Sequence, residues 1–242
     1  LRQLAPDLPL DYVADNGFFP YGEKPDDVLI GHLVRLVGRI IERLAPSALV
    51  VACNTASTLA LSALRDSYRL PIIGCVPPIK PAAAASVTRH IGVLATAATV
   101  RRPYLTSLVH NFAADCAIHT LGTPTLAALA ERKFRGEAVD VGPAVAALFA
   151  PAGKMIDAVA LGCTHYTFLI PELQALYPAV AWFDPAGPVA RQTLTVTQYL
   201  DMGGAAAGTA YVTAPVADEA DFAARLADYG FHRLVQFSPA DA

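Results

Sequence analysis

Short, fully apolar runs alternate along this chain with longer segments in which apolar residues recur every three or four positions. Residues 10–14 form the first strand candidate, and the turn-rich loop NGFFPYGEKPDD follows. From 28 to 45 the spacing predicts a helix, with Pro25 and Asp26 as entry signals. Residues 48–52 (ALVVA) read as a buried strand, 55–68 as a helix, and 71–76 as a strand closed by Pro77 and Pro78. A second series has helix 79–88, strand 91–95, helix 100–112, strand 117–120 and helix 125–133. It continues with a helical stretch near 139–150, strand 158–161 and helix 166–176. Strands that are apolar throughout, rather than alternating, are covered on both faces. The pattern therefore predicts an α/β fold with a largely parallel sheet and helices on both sides.

Composition narrows the class without naming a function. The 242 residues are 54% hydrophobic and 16% charged, enough for one large or two modest cores. A formal charge of -3 gives no electrostatic footprint for nucleic acid, and no basic cluster is present to hold an acidic membrane surface. The most apolar stretch, 142–162, is interrupted by Pro143, Pro151, Lys154 and Asp157, so it fails as a membrane span. The first residues lack the regions of a signal peptide. The four cysteines, Cys53, Cys75, Cys116 and Cys163, lie far apart with no CxxC pair or zinc-like cluster. Reduced thiols, a cytoplasmic location and no metal are the expectation.

Two segments echo each other. VVACNT at 50–55 and ALGCTH at 160–165 each run from an apolar strand through a small residue to Cys and then to hydrogen-bonding residues. Each Cys is placed where a parallel strand ends and a helix begins, the edge at which open α/β sheets hold ligands. Two opposed thiols suit inversion at a Cα, which needs a base on one face and an acid on the other. A thiol serves both roles, because a helix N-terminus lowers its reference pKa of about 8.5 toward neutrality. His165, two residues after Cys163, is a candidate to assist that thiol or to protonate a carboxylate. Taken singly, these residues have plainer readings. A lone Cys after a strand is usually packing; His165 would be a satisfied loop histidine and Glu131 a solvated helix residue. Asn54, Thr55 and Thr164 would be helix caps. The pairing sets Cys53 and Cys163 apart, whereas Cys75 and Cys116 stay assigned to packing.

VVACNTA and LGCTHY closely resemble the two signature segments of glutamate racemases. Asp15 in YVAD and PYGE at 20–23 resemble that family's first substrate loop, GVLATxxTVxR at 92–102 its second-lobe entry, and DPA at 184–186 its return to the first lobe. The resemblance implies two pseudo-symmetric lobes, each a mostly parallel sheet flanked by helices, with the active site in the cleft. Residues 1–77 plus 187–242 would form the first lobe and 78–186 the second. It also implies a PLP-free, cofactor-independent and metal-free two-base racemisation of glutamate, supplying D-glutamate for peptidoglycan, in a homodimer. By motif match Cys53 and Cys163 act on opposite faces, His165 supports Cys163, and Glu131 lies near that histidine. Asp15, Pro20, Tyr21, Gly22, Asn54, Thr55, Thr96, Thr99 and Thr164 hold the amino acid's charged groups.

The family opens on a strand and an Asp-Ser-Gly loop that this sequence does not contain, and that Asp is the expected partner of the first thiol. A chain trimmed at its start and a divergent homologue with weakened chemistry both fit. Loss of a central parallel strand would leave a raw sheet edge and an unfilled core, which favours trimming. Asn16, where the family often carries Ser or Thr, is a smaller departure. A racemase of another acidic amino acid, such as aspartate, should lack the PYG and CTHY contexts. A one-cysteine decarboxylase is disfavoured by the presence of both thiols. A catalytically weak homologue with a protein-binding role stays open, since some glutamate racemases are associated with inhibition of DNA gyrase. No segment here points to such a surface.

Overall fold

The computed structural model describes residues 1–150, 155–198 and 208–237. The chain runs β1 (Tyr12–Ala14), two 3-10 turns (Asn16–Phe18 and Tyr21–Glu23), α1 (Asp26–Leu44), β2 (Leu49–Val51), α2 (Asn54–Ser67), β3 (Ile72–Gly74) and α3 (Ile79–Ala85). It continues through β4 (His90–Ala95), α4 (Ala97–Val100), α5 (Pro103–Phe112), β5 (Ala117–Gly122), α6 (Thr125–Phe134) and α7 (Gly142–Phe149). Then come β6 (Ala158–Gly162), a 3-10 turn (Thr164–Leu169), α8 (Ile170–Leu176) and β7 (Ala181–Phe183). The remaining elements are α9 (Ala186–Thr197), β8 (Thr209–Val212), α10 (Glu219–Ala227) and β9 (Arg233–Gln236).

The residues group into two units. One comprises Leu1–Val50, Ser62–Ile73 and Ala190–Ala242; the other comprises Val51–Leu61 and Gly74–Val189. The first unit carries a sheet of order β1-β8-β9, in which both pairings are parallel. Helix α1 buries Leu29, Leu33, Leu36, Val37 and Ile40, one stripe at helical spacing. Leu36 and Ile40 meet Phe237 in a core that also takes Val13, Leu49 and Tyr211. Tyr68 donates its hydroxyl to the Val34 carbonyl at 2.7 Å. A Cβ at Gly38 would lie 2.6 Å from that hydroxyl, so glycine alone lets the tyrosine reach α1.

The second unit is built on a parallel sheet of order β5-β4-β6-β7. Alternate residues of its central strands face opposite cores, as the two-residue period of a strand requires. Leu94, Val159 and Leu161 pack with Leu126, Val145, Leu148 and Leu173 from α6, α7 and α8. Ile91, Val93, Ala158 and Ala160 pack with Ile79, Ala82 and Leu105 from α3 and α5. Each large side chain buried this way contributes about 1.5–3 kcal/mol. The predicted parallel, helix-covered α/β class is the one observed.

Three helices depart from their predicted spans for identifiable reasons. The helix read over 100–112 is two, because Arg102 is extended ahead of Pro103, where the proline ring excludes the helical conformation. The helix read over 79–88 stops at Ala85. Asp157 draws the next residues away by accepting from the Ser86 hydroxyl at 2.6 Å and from the N–H groups of Val87 at 2.7 Å and Thr88 at 2.8 Å. The helix read over 166–176 starts two residues earlier as the 3-10 turn and turns regular as α8, with Pro171 in its first turn. Beyond 176, where the hydrophobic pattern assigned nothing, lie β7, α9, β8, α10 and β9.

Candidate active site

Both singled-out thiols belong to the second unit, and each sits at the end of a strand. Cys53 follows β2 and immediately precedes α2, whose first turn closes through the Ser57 N–H on the Cys53 carbonyl at 2.9 Å. Cys163 follows β6 directly and heads the 3-10 turn, closed by the Tyr166 N–H on the Cys163 carbonyl at 3.1 Å. Gly162 fixes where that turn begins: a Cβ there would stand 2.9 Å from the Ala95 side chain and force β6 away from β4. The Thr164 hydroxyl donates to the Ala52 carbonyl at 3.0 Å, joining two turns whose residues are 112 positions apart. Thr164, expected to hold substrate, thus also braces one thiol turn against the other.

The electrostatics of Cys53 differ from the sequence expectation. Burial pushes its thiol up to about 11, and a charge on Cys163 pushes the same way. The N–H groups of Ala56 and Thr55 and the Thr55 hydroxyl pull down, but not enough. The helix N-terminus expected to acidify this cysteine is present and is outweighed by desolvation. Because a charge on one sulfur opposes charge on the other, the pair resists losing both protons together. One acid and one base is the state a two-base inversion needs. Cys75 is buried and pushed up to about 12, first by burial and then by charges on Cys53, Cys163 and Asp184. It is a neutral packed thiol within electrostatic reach of the other two. Cys116 packs at the margin of the α3–α5 core.

His165 and Glu131 come together as the resemblance implied. Nε2 of His165 lies 2.9 Å from a Glu131 carboxylate oxygen on α6, and its Nδ1 lies 4.0 Å from Sγ of Cys163. Burial lowers the imidazole pKa, but hydrogen bonds to Cys163 and Glu131 outweigh it and push the group up to about 10. The 2.9 Å contact is the firmer of the two, since 4.0 Å is the outer limit for a sulfur hydrogen bond. Glu131 is held below its ordinary value, chiefly by His165. The two partners thus favour the protonated imidazole against the effect of burial.

Thr55, Thr96 and Thr99 form a closed triangle of hydroxyls, with separations of 3.2, 3.2 and 3.0 Å. Thr96 also caps α4 by accepting the Thr99 N–H at 3.2 Å. Beside Cys53, Asn54 is 1% exposed, and both polar atoms of its amide lack a partner among the described residues. Leaving such a group dry and unpaired costs about 1–3 kcal/mol, which a bound ligand would relieve.

The remaining candidates, Asp15, Pro20, Tyr21 and Gly22, belong to the first unit. There the Asp15 carboxylate is held by three donors. It accepts from the Tyr21 hydroxyl at 2.6 Å, from Nε2 of His32 at 2.6 Å and from the Thr213 hydroxyl at 2.8 Å. Phe18 stacks on the His32 ring at 3.9 Å. His32 and Thr213 escaped sequence reasoning; a histidine on a helix and a threonine far down the chain carry no local signal. We expect His32→Phe, which keeps the stack and removes the donor, to lower stability by about 1–3 kcal/mol. The urea denaturation midpoint reads this, and an unchanged midpoint would show that the contact adds nothing. Ser57 and Tyr166 were likewise missed.

Among the described residues no group of three or more His, Cys, Asp or Glu side chains could hold a metal ion, and no helix is long and apolar enough to cross a membrane. A surface depression of about 800 Å³ is lined by residues 65–72 and by none of the residues singled out above.

Residues 5–193 match the Asp/Glu/hydantoin racemase family. The glutamate racemase of Granulibacter bethesdensis is 52% identical over 199 residues, covering 81% of this chain and 72% of that protein. That of Actinobacillus pleuropneumoniae serotype 7 is 39% identical over 241 residues, covering 97% and 90%. The crystal structure of Escherichia coli glutamate racemase, in complex with L-glutamate and the activator UDP-MurNAc-Ala, superposes with a TM-score of 0.91. It is 37% identical and covers 98% of this chain and 91% of that one.

Proposed function

This chain belongs to the Asp/Glu/hydantoin racemase family, and on that premise we propose that it interconverts L- and D-glutamate without PLP or metal, using Cys53 and Cys163 as paired acid and base. The observation that carries the reading is the joining of the two cysteine turns by the Thr164–Ala52 hydrogen bond within one unit. One sulfur, as thiolate, takes the Cα proton; the electron pair left on Cα spreads into the carboxylate as the C–H bond breaks. The other sulfur, as thiol, delivers a proton to the opposite face. No electron leaves the substrate, and the two sulfurs end with exchanged protonation, ready for the reverse direction.

The hydroxyls of Thr55, Thr96 and Thr99 and the Asn54 amide supply neutral donors for a carboxylate whose charge grows during the step. Thr164 enters this set through the family resemblance, while its hydroxyl bond to Ala52 holds the two turns together. His165, steadied by Glu131, stands 4.0 Å from Cys163 as a donor toward that sulfur and the bound carboxylate. Asp15, Pro20, Tyr21 and Gly22, the division into lobes at 77 and 187, a homodimer, a cytoplasmic location and D-glutamate supply for peptidoglycan enter the proposal through the family resemblance.

Circular dichroism of L-glutamate, and separately of D-glutamate, tests the reading with purified protein and no added cofactor. Both signals should decay to zero, and in D2O the product should carry deuterium at Cα. Stable signals with both enantiomers, or product carrying only protium, would overturn it.

A further inference from the structure

Outside the groups that face substrate, the two thiol turns share a construction that the proposed chemistry does not yet use. Four residues after Cys53, Ser57 is 4% exposed. Its hydroxyl donates to the Val51 carbonyl at 3.0 Å and accepts the Cys75 N–H at 2.9 Å. Its own N–H closes on the Cys53 carbonyl. One side chain therefore ties the end of β2, the first turn of α2 and the residue after β3 into a single knot around Cys53. Three residues after Cys163, Tyr166 is fully buried. Its hydroxyl donates to the Thr123 carbonyl at 2.8 Å, with the Ala95 carbonyl at 3.3 Å, and its N–H closes on the Cys163 carbonyl. Thr123 and Ala95 stand at the ends of β5 and β4, so this knot gathers the ends of two neighbouring strands on one side of β6, the strand that leads into Cys163.

The two knots use different residue types and spacings but meet the same need. Each cysteine lies on a turn rather than in a strand, and a turn held only by its own backbone flexes. A buried hydroxyl reaching from the following helical turn to neighbouring strand ends removes that freedom. It also satisfies backbone groups that would otherwise be buried and unpaired. Removing a proton from Cα and returning it to the other face places strict limits on both sulfurs, and a misplacement of about 1 Å costs on the order of a hundredfold in rate.

We infer that Ser57 and Tyr166 are matched positioning residues, each fixing one of the two sulfurs against Cα through the turn that carries it. The inference rests on the reading that both thiols act on substrate, and it assigns neither hydroxyl a contact with that substrate. Its consequence is selectivity. Loss of the Ser57 hydroxyl loosens Cys53 more than Cys163, to whose turn it is joined by the Thr164–Ala52 bond, and loss of the Tyr166 hydroxyl does the converse.

The test follows alkylation of each cysteine by iodoacetamide with peptide mass spectrometry, alongside glutamate racemisation. In Ser57→Ala the Cys53 rate should change at least threefold while the Cys163 rate stays within twofold. In Tyr166→Phe the pattern should reverse. Each variant should lose roughly tenfold in kcat with KM within twofold, and Ser57→Thr, which keeps the hydroxyl, should recover both readouts. Rates that move together at both cysteines, or that do not move, overturn the inference, as does a kcat unchanged in both variants. Should Tyr166→Phe not fold, Ser57→Ala and Ser57→Thr still decide it. If the unaltered protein does not racemise glutamate, the functional reading fails, and the alkylation pattern judges the two tethers on its own.

Discussion

Cys53→Ala and Cys163→Ala should each lower glutamate racemisation by about 10³-fold or more, in both directions, with the fold retained. The size follows from the stereochemistry. A positioned acid or base is commonly worth 10²–10⁴-fold, and here each thiol serves a face of Cα that the other cannot reach. Deleting either sulfur leaves a site that removes a proton but cannot return one to the opposite face, or the reverse. The overall equilibrium between enantiomers is unity, so the loss must appear equally in kcat/KM from either side. Retention of the fold is expected because the change removes one sulfur atom from a turn held by other contacts. At Cys53 these are the Ser57 bonds to Val51 and Cys75; at Cys163 they are the Tyr166 bonds to the ends of β4 and β5. Cys→Ser variants provide a second check, since a serine hydroxyl keeps the size but ionises far too high to act as the base. Polarimetry or circular dichroism of both enantiomers, with a melting curve for each variant, makes the measurement. Turnover within tenfold of the unaltered protein in either alanine variant would sink the two-base assignment.

The layered α/β class and the order of most elements were legible because buried parallel strands write themselves as short unbroken apolar runs. Helix ends were less legible. The break at Pro103 is local and readable, but the stop at Ala85 depends on Asp157, a residue more than seventy positions away. At the site, the echo between VVACNT and ALGCTH marked both thiols, because a strand-end cysteine with polar followers is a local pattern. The ionisation of Cys53 was not legible. A helix N-terminus predicts a lowered pKa from sequence, whereas the burial that raises it to about 11 exists only in the folded chain. Ser57 and Tyr166 escaped for a similar reason. A serine in the first turn of a helix and a tyrosine in a 3-10 turn look ordinary until the strand ends they bridge are in place. The surroundings of Asp15 were not legible either: its carboxylate accepts from Tyr21, in its own loop, but also from His32 and Thr213, which lie outside it. The three threonines turn their hydroxyls on one another, and the Asn54 amide has no partner among the described residues.

Replacing His165 by Gln should lower kcat by about 10²–10³-fold and remove most of the alkaline limb of its pH profile. In the unaltered protein the imidazole is pushed up to about 10, against the effect of burial, by Cys163 and Glu131. A group raised in the folded state stays charged through neutral pH and loses its proton as pH climbs through that raised value. Support for Cys163 is therefore full at pH 7 and fades toward about 10. Glu131→Gln separates the pair. It removes the carboxylate at 2.9 Å, so the imidazole loses its proton at lower pH and the alkaline limb moves down. The same pair predicts how stability depends on pH. The part due to raising His165 is fully present below its ordinary value near 6.5 and is lost as pH rises through about 10. The part due to lowering Glu131 is present above its ordinary value near 4.5 and is lost on acidification. The stability gap between the unaltered protein and Glu131→Gln should thus be widest between about 4.5 and 6.5 and close above about 10. It should be modest throughout, because the two side chains are 31% and 40% exposed and solvent screens the interaction. Urea denaturation across that pH range, with kcat profiles of both variants, supplies the readouts. An alkaline limb unmoved in Glu131→Gln, together with kcat within twofold in His165→Gln, would place the pair outside the mechanism and leave Cys163 to work without a charged neighbour.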